Sequence, residues 1–290
     1  MPVRWFAILL VITAASGCAS SARVGQFDQF AQVGVAFTKT IPAVVDDAFE
    51  AAVNVDSLVL TENRLDLSRP RDRLNAINDS NTLLKNLLAI HNDLKTHALL
   101  LQNYFNVLQT LASTEAESSG LTDMANGLVG ELAKLSPVIQ GAKIGNAYIA
   151  DLVSPTVDLA FTAFQAGVLN RELERNGKTI ERELDLQRAA LQAIATAMRS
   201  NLEAKFTAQD RDKIIAPFIA SAPLPSGWET ARLISLQRRV QMSSVDAAFQ
   251  AAQNLHLSYI ALVENRLTSA SITTVLQNVN EIISLIGESQ

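Results

Sequence analysis

The strongest constraint on this chain is an apolar stripe whose members fall alternately three and four residues apart. Phe27, Phe30, Gly34, Phe37, Ile41, Val44, Ala48, Ala51, Val55 and Leu58 keep that step without a break. An α-helix puts residues at this spacing on one side, and a stripe this long needs partner helices to leave water. Pro42 lies inside the run, and the pattern continues past it, which predicts a kink rather than an end. One helix is expected from Gln26 to about Leu65.

The rest of the chain repeats the theme. Ser68 is expected to cap a second helix with Pro70 in its first turn. Its stripe is Leu74, Ile77, Leu84, Leu87, His91, Leu94, Ala98, Leu101, Phe105 and Leu108, and Asn81 in the same phase is a candidate register-setting residue. Ser113 to Gly120 is a polar turn. Residues 171–206 read as a charged helix with Leu173, Ile180, Leu184, Leu191, Ile194, Met198 and Leu202 on one face, and Glu174 with Lys178 as a favourable i,i+4 pair. Thr207 opens a short helix to about Ala220. Ser221 to Gly227 is a loop, and further helices are expected over 229–267 and 271–286. With hydrophobic residues at 48% and aromatics at 6%, the fold expected is all-α. It is an elongated bundle of five to seven helices, several of them long and coiled-coil-like, forming a single domain over 25–290.

The middle differs. Between Leu135 and Asn170 only Lys143, Asp151 and Asp158 carry charge. Ser136-Pro137 and Ser154-Pro155 each resemble a cap followed by proline, so two helix starts are expected there. Gly141 and Gly145 form a small-xxx-small pair. The longest charge-free window, 159–170, is too short to span a bilayer.

The two ends of the chain resemble each other. Val45, Asp46, Ala48, Phe49, Ala51, Ala52 and Asn54 recur 200 positions later, as Val245 through Asn254. Glu62-Asn63-Arg64-Leu65 recurs as Glu264-Asn265-Arg266-Leu267, now offset by 202. Two similar hairpins packed as a pair would explain this. Shared composition of two core helices would explain it as well, and a two-residue slip turns a helix face by about 200°.

The chemistry-bearing patterns are missing. The formal net charge is −5 with no run of one sign, which gives no footprint for nucleic acid. The three positions before His91, His97 and His256 hold Leu88, Leu94 and Gln253, so no Glu-x-x-His pair is present for a metal in a bundle core. His91 is expected to be a hydrogen-bonded core residue, and His97 and His256 surface or rim residues. Asp46 and Asp47 are adjacent and so point about 100° apart on a helix, which suits a solvated face. No nucleophile elbow, P-loop or dinucleotide fingerprint occurs. No catalytic residue, metal site or cofactor is expected.

One motif carries chemistry. Arg4 precedes an apolar run from Trp5 to Ala15, and Ala15-Ser16-Gly17-Cys18 contains the chain's one cysteine. Eleven residues are too few to span a membrane and suit the core of an export signal. The tetrapeptide resembles the lipobox of bacterial lipoproteins, with Ala15 standing where leucine is usual. That resemblance implies recognition of Ala15, Ser16 and Gly17 by a signal peptidase, removal of residues 1–17, and lipid on Cys18. Two or more acyl chains anchor stably where one is marginal. Ala19 after the cysteine, with no aspartate, implies outer-membrane rather than inner-membrane sorting. Residues 18–24 would then be a lipidated tether, reaching about 20 Å when extended.

The function expected is that of a lipid-anchored envelope protein acting by protein–protein contact, as scaffold, adaptor or immunity-type binder. Two alternatives stand beside it. Residues 121–170 form a membrane-active segment, in outline like the helical pore-forming toxins, or the bundle core holds a small ligand or an enzyme site.

Overall fold

The computed structural model describes residues 3–64, 66–113, 119–155, 158–160, 167–200, 204–220 and 222–289, with side chains from 23 onward except at 167, 204, 205, 288 and 289. Leu65, Leu202, residues 161–166 and the side chains of Ala15, Ser16, Gly17 and Cys18 lie outside that description. The architecture is an all-α bundle with one small β-hairpin. Four of its helices exceed 30 residues: α1 (Val3–Asn63), α2 (Pro70–Ser113), α4 (Gly167–Met198) and α7 (Trp228–Val263). Around them lie α3 (Ser119–Gly141), the short α5 (Ala204–Gln209) and α6 (Ala216–Ile219), and α8 (Ser269–Ser289).

The α1 stripe is buried as its spacing requires. Phe27, Phe37, Ile41, Val44 and Ala51 have no exposed surface, and Leu58 near the far end is half-buried. Gly34 marks the closest approach of α1 to α2. A Cβ built there would sit 2.6 Å from Phe105 Cδ2, so the ring occupies the space a side chain would need. Phe105 in turn meets Phe30 edge to face, at 5.8 Å and 78°. Residues 18–24, expected as an extended tether, are part of α1 and rise about 1.5 Å each instead of about 3.3 Å. Arg23 is already buried and donates from Nη2 to the Val263 carbonyl at 3.3 Å.

That contact also gives the helix directions. Arg23 near the start of α1 meets the end of α7, while Gln241 Nε2 donates to Glu50 at 3.4 Å. α1 and α7 are therefore antiparallel. They carry the two similar segments, and Val45, Ala48 and Ala51 are buried like Val245, Ala248 and Ala251. The surroundings diverge. Glu62 and Asn63 still belong to α1, whereas Glu264 and Asn265 lie past the end of α7. There Asn265 adopts φ +57°, and the Arg266 amide reaches back to the Ala261 carbonyl. This is a left-handed helix stop that asparagine tolerates. α8 packs on both α7 and α1, whereas α2 packs on α1, α3 and α4.

Several expectations fail for local reasons. α2 begins at Pro70 with the Arg69 carbonyl accepting its first bonds, so Arg69 rather than Ser68 stands at the cap. Apart from Ser80, burial in α2 starts only at His91. Leu74 and Ile77 are 57% and 47% exposed, and Asn81 is exposed, so it sets no register. Near this end α1 and α2 run largely as a pair, and a wall of the expected stripe is missing. Pro137 lies inside α3 and starts nothing. Ser136 Oγ bonds back to the Leu132 carbonyl at 2.8 Å, as a mid-helix serine can. Ser154-Pro155 starts no helix: 154–155 and 158–160 are non-helical, and the Ser154 hydroxyl that would cap one bonds Asp185 at 3.2 Å instead. Gly145 is not on a helix. It takes φ +60° in the two-residue turn joining Lys143–Ile144 to Ala147–Tyr148, a hairpin that the Gly-Asn pair suits. Part of the apolar surface of residues 121–170 goes into packing: Leu132, Ile139, Ile144 and Ile149 are buried, whereas Met124, Val138 and Tyr148 are exposed. Among the described residues no helix is long and apolar enough to cross a membrane.

Gly34→Val should lower unfolding stability by about 2–3 kcal/mol through overlap with Phe105. The double variant with Phe105→Leu should be more stable than the sum of the two single effects, as read by urea denaturation.

Candidate functional site

The polar interior is organised by α4. Glu172, Asn176, Glu181, Glu183, Asp185 and Gln187 are all buried, an unusual load for one helix. They fall as i,i+4 pairs, and pairs two residues apart point about 200° from each other. So 183/187 face α2 and 181/185 face α7. His97 of α2 has no exposed surface and meets Glu183 through Nε2 at 2.9 Å and Gln187 through Nδ1 at 2.8 Å. With Glu183 as acceptor, Nε2 carries a proton, so in the neutral ring Nδ1 accepts from the Gln187 amide N–H turned towards it. Ser136 Oγ of α3 lies 2.7 and 2.6 Å from the two Glu183 oxygens. On the other side His256 of α7 meets Glu181 at 2.7 Å, with Asp185 3.7 Å from Nδ1. Asp185 also takes Arg188 Nε at 2.6 Å, and Arg188 Nη2 donates to the Leu152 carbonyl at 2.6 Å, which pins the 152–154 segment onto α4.

Further along, Asn176 Nδ2 joins Asn126 of α3 and Glu172 at 2.9 and 2.8 Å. Tyr104 Oη and Glu172 Oε2 are buried without a well-aligned bond, each in the other's field. Burial pushes the Glu172 carboxyl above the usual carboxylate range, with Asn176, Tyr104 and Arg175 pulling the other way. Burial also pushes the Tyr104 and Tyr259 hydroxyls up, so both keep their protons.

His97 and His256 were expected at the surface or rim and are instead core residues. Their sequence signal was phase: His97 sits one helical turn before Leu101, and His256 three before the buried Tyr259. Asp46 is exposed and pairs with Lys95, which fits the solvated face expected for it. Ser136, Glu183 and His97 bring together residue types used in acyl transfer, but the hydroxyl faces a carboxylate rather than the imidazole and all three are closed to solvent. Among the described residues no three His, Cys, Asp or Glu side chains converge as metal ligands. The arrangement fixes α2, α3 and α7 to α4.

Two accessible features among the described residues bear on function. A groove of about 360 Å³ opens between α1, α2, the hairpin and the end of α4, lined by Ala48, Ala52, Val55, Leu87, Ile194 and Met198. His91 and Asp56 are its polar members. Burial and nearby Lys95 hold the His91 imidazole down at about 4, against Asp46, so the ring is neutral at pH 7. The second feature is the end of the bundle where α1 stops and α7 starts. Ile215, Phe218 and Ile219 are 53%, 65% and 76% exposed there. Phe218 stacks on Trp228 at 5.5 Å, and Trp228 Nε1 donates to the Ile214 carbonyl at 2.9 Å. Leu74, Ile77, Leu233 and Leu236 are exposed at the same end, among Arg69, Arg71, Arg211, Lys213 and Arg232.

Comparison with protein-family models, curated proteins and solved structures gave no match to this chain.

His97→Leu keeps much of the volume but leaves Glu183 and Gln187 facing hydrocarbon. It should cost about 3–5 kcal/mol in denaturant unfolding, and converting all three residues to leucine should recover most of that. Glu172 gives the opposite sign. Its folded carboxyl holds a proton more tightly than the unfolded one, so ionisation costs stability as pH rises above the ordinary carboxylate range. Glu172→Gln should raise the melting temperature at pH 7, and the gain should fade as pH falls through that range.

Proposed function

We propose that the chain is a lipid-anchored cell-envelope protein that works by protein–protein contact, held at the outer membrane through acyl chains on Cys18. The supporting observation is an asymmetry of the surface. Arg23, five residues after Cys18, lies at one end of the bundle, against the end of α7. At about 1.5 Å per residue, α1 carries the chain some 60 Å from Arg23 to Asn63. The exposed Ile215, Phe218, Ile219, Leu233 and Leu236 cluster at that far end. An aromatic and aliphatic patch rimmed by arginine is the composition that protein interfaces favour. A lipid on Cys18 would hold one end of the bundle at the bilayer and leave the patch reaching into the compartment beyond. The partner suited to it is another envelope protein, with no nucleic acid and no catalysis involved.

Cys18→Ala should abolish labelling by radioactive palmitate and move the protein into the soluble fraction. A variant that stays membrane-bound at full length would make the apolar run an uncleaved anchor and end the lipoprotein reading. A photo-crosslinking residue at Phe218 or Leu233 should give a discrete adduct in intact cells, and one at Leu257, exposed farther along α7, should not. Adducts at neither far-end position would remove the contact role.

A further inference from the structure

A third cavity, of about 390 Å³, opens between α7, α5 and the π-helical stretch Asp210–Ile215 that follows α5. Its size falls within the range of small-ligand sites. The α7 wall includes Ser235, Arg238, Arg239, Met242 and Asp246, which spacings of three and four residues put on one side of the helix. Phe206 and Asp210 form the opposite wall. Three cations and two acids meet around this space, and the pairing among them is uneven. Arg199 holds Asp246, and Arg239 Nη2 donates to Asp210 at 2.7 Å. Arg238 is the cation left over. Among the described residues it makes no ion pair, and Asp210 is the one acid whose field reaches it.

Arg238 is held in place, but its charge is not answered. Its guanidinium carbon lies 4.3 Å from the centroid of the Phe206 ring, and Nη1 donates to Gln209 Oε1 at 3.1 Å. Nε is sealed from solvent, whereas Nη2 makes no hydrogen bond and keeps solvent access. The Ser235 hydroxyl, nearly one turn earlier on α7, is likewise without a partner and open to the cavity. The ring and the amide therefore fix a cation beside a free hydroxyl, both facing one space. A planar guanidinium matches a carboxylate better than any other small group. Asp210 and Asp246 line the same space and disfavour a second negative charge. Phe206 and Met242 give the wall an apolar part.

We propose that this cavity binds a small monocarboxylate, its carboxylate on Arg238 Nη2 and the Ser235 hydroxyl and its apolar body along Phe206 and Met242. The site needs neither the lipid anchor nor a protein partner. Benzoate is a suitable probe, with benzamide as its uncharged counterpart and inorganic phosphate as a second anion. The full-length protein, reconstituted in nanodiscs of zwitterionic lipid, is titrated with each by calorimetry, with empty nanodiscs as the blank. One saturable site for benzoate is expected, with benzamide about tenfold weaker and phosphate failing to compete. Arg238→Met should abolish benzoate binding. Asp246→Asn keeps the question answerable if that variant folds poorly, because it leaves the stacked arginine in place and removes an acid from the cavity. It should tighten benzoate binding about threefold. No saturable binding above the blank, benzamide equal to benzoate, displacement of benzoate by phosphate, undiminished binding in a folded Arg238→Met, or an Asp246→Asn that binds no tighter would each overturn the proposal.

Discussion

The bundle depends on one electrostatic requirement: the buried carboxylates of α4 must be met by hydrogen-bond donors, several of them from other segments. A buried carboxylate without partners is costly enough to unfold a domain of ordinary stability. Glu183 is met by His97 and Ser136, Glu181 by His256, Asp185 by Arg188 and Ser154, and Glu172 by Asn176. These donors lie on α2, α3, α7, the 152–154 segment and α4 itself. Apolar packing brings the helices together, since most of it is indifferent to small slides along an axis. Hydrogen bonds to fixed carboxylates are not indifferent, and they select the register.

That division explains how much was legible in the sequence. The α1 stripe was readable because one side of the helix keeps the apolar spacing over nine consecutive steps, and burial follows it from Phe27 to Val55. α4 was legible as a helix but not as the centre of the bundle. Its leucines and isoleucines mark one face, and the remaining charge suggests a surface helix. Acids or amides at both 181/185 and 183/187 leave no clean polar face, which is the signature of a helix enclosed on both flanks by polar partners. The two histidines followed from the same oversight, because an acid expected in water asks for no donor. Serine before proline misled for a different reason. The pair suits a helix start, yet Ser136 turns its hydroxyl to Leu132 and Glu183, and Ser154 gives its amide to Asp185. Tertiary partners decided both. The groove beside His91 was out of reach, since its walls come from four segments separated by about thirty to fifty residues.

The accessible features sit apart from the polar spine. The spine's histidines are enclosed, while His91, six residues before His97 on the same helix, lines open space. His91 borders that groove with only 2% of its surface exposed, so the lining is chiefly the apolar side chains of α1, α2 and α4.

The contact between Arg23 and the Val263 carbonyl joins residues 240 positions apart. It sets an order of events on the ribosome or at the exit of a translocation channel. α1 emerges first, yet the surface that covers Phe30 includes Tyr259 of α7, which emerges nearly last. For most of synthesis the first helix carries its aromatic stripe without its final cover. Transiently exposed apolar surface of that kind is prone to aggregate, so the exposure of the stripe ends only when the C-terminal hairpin arrives to close the bundle.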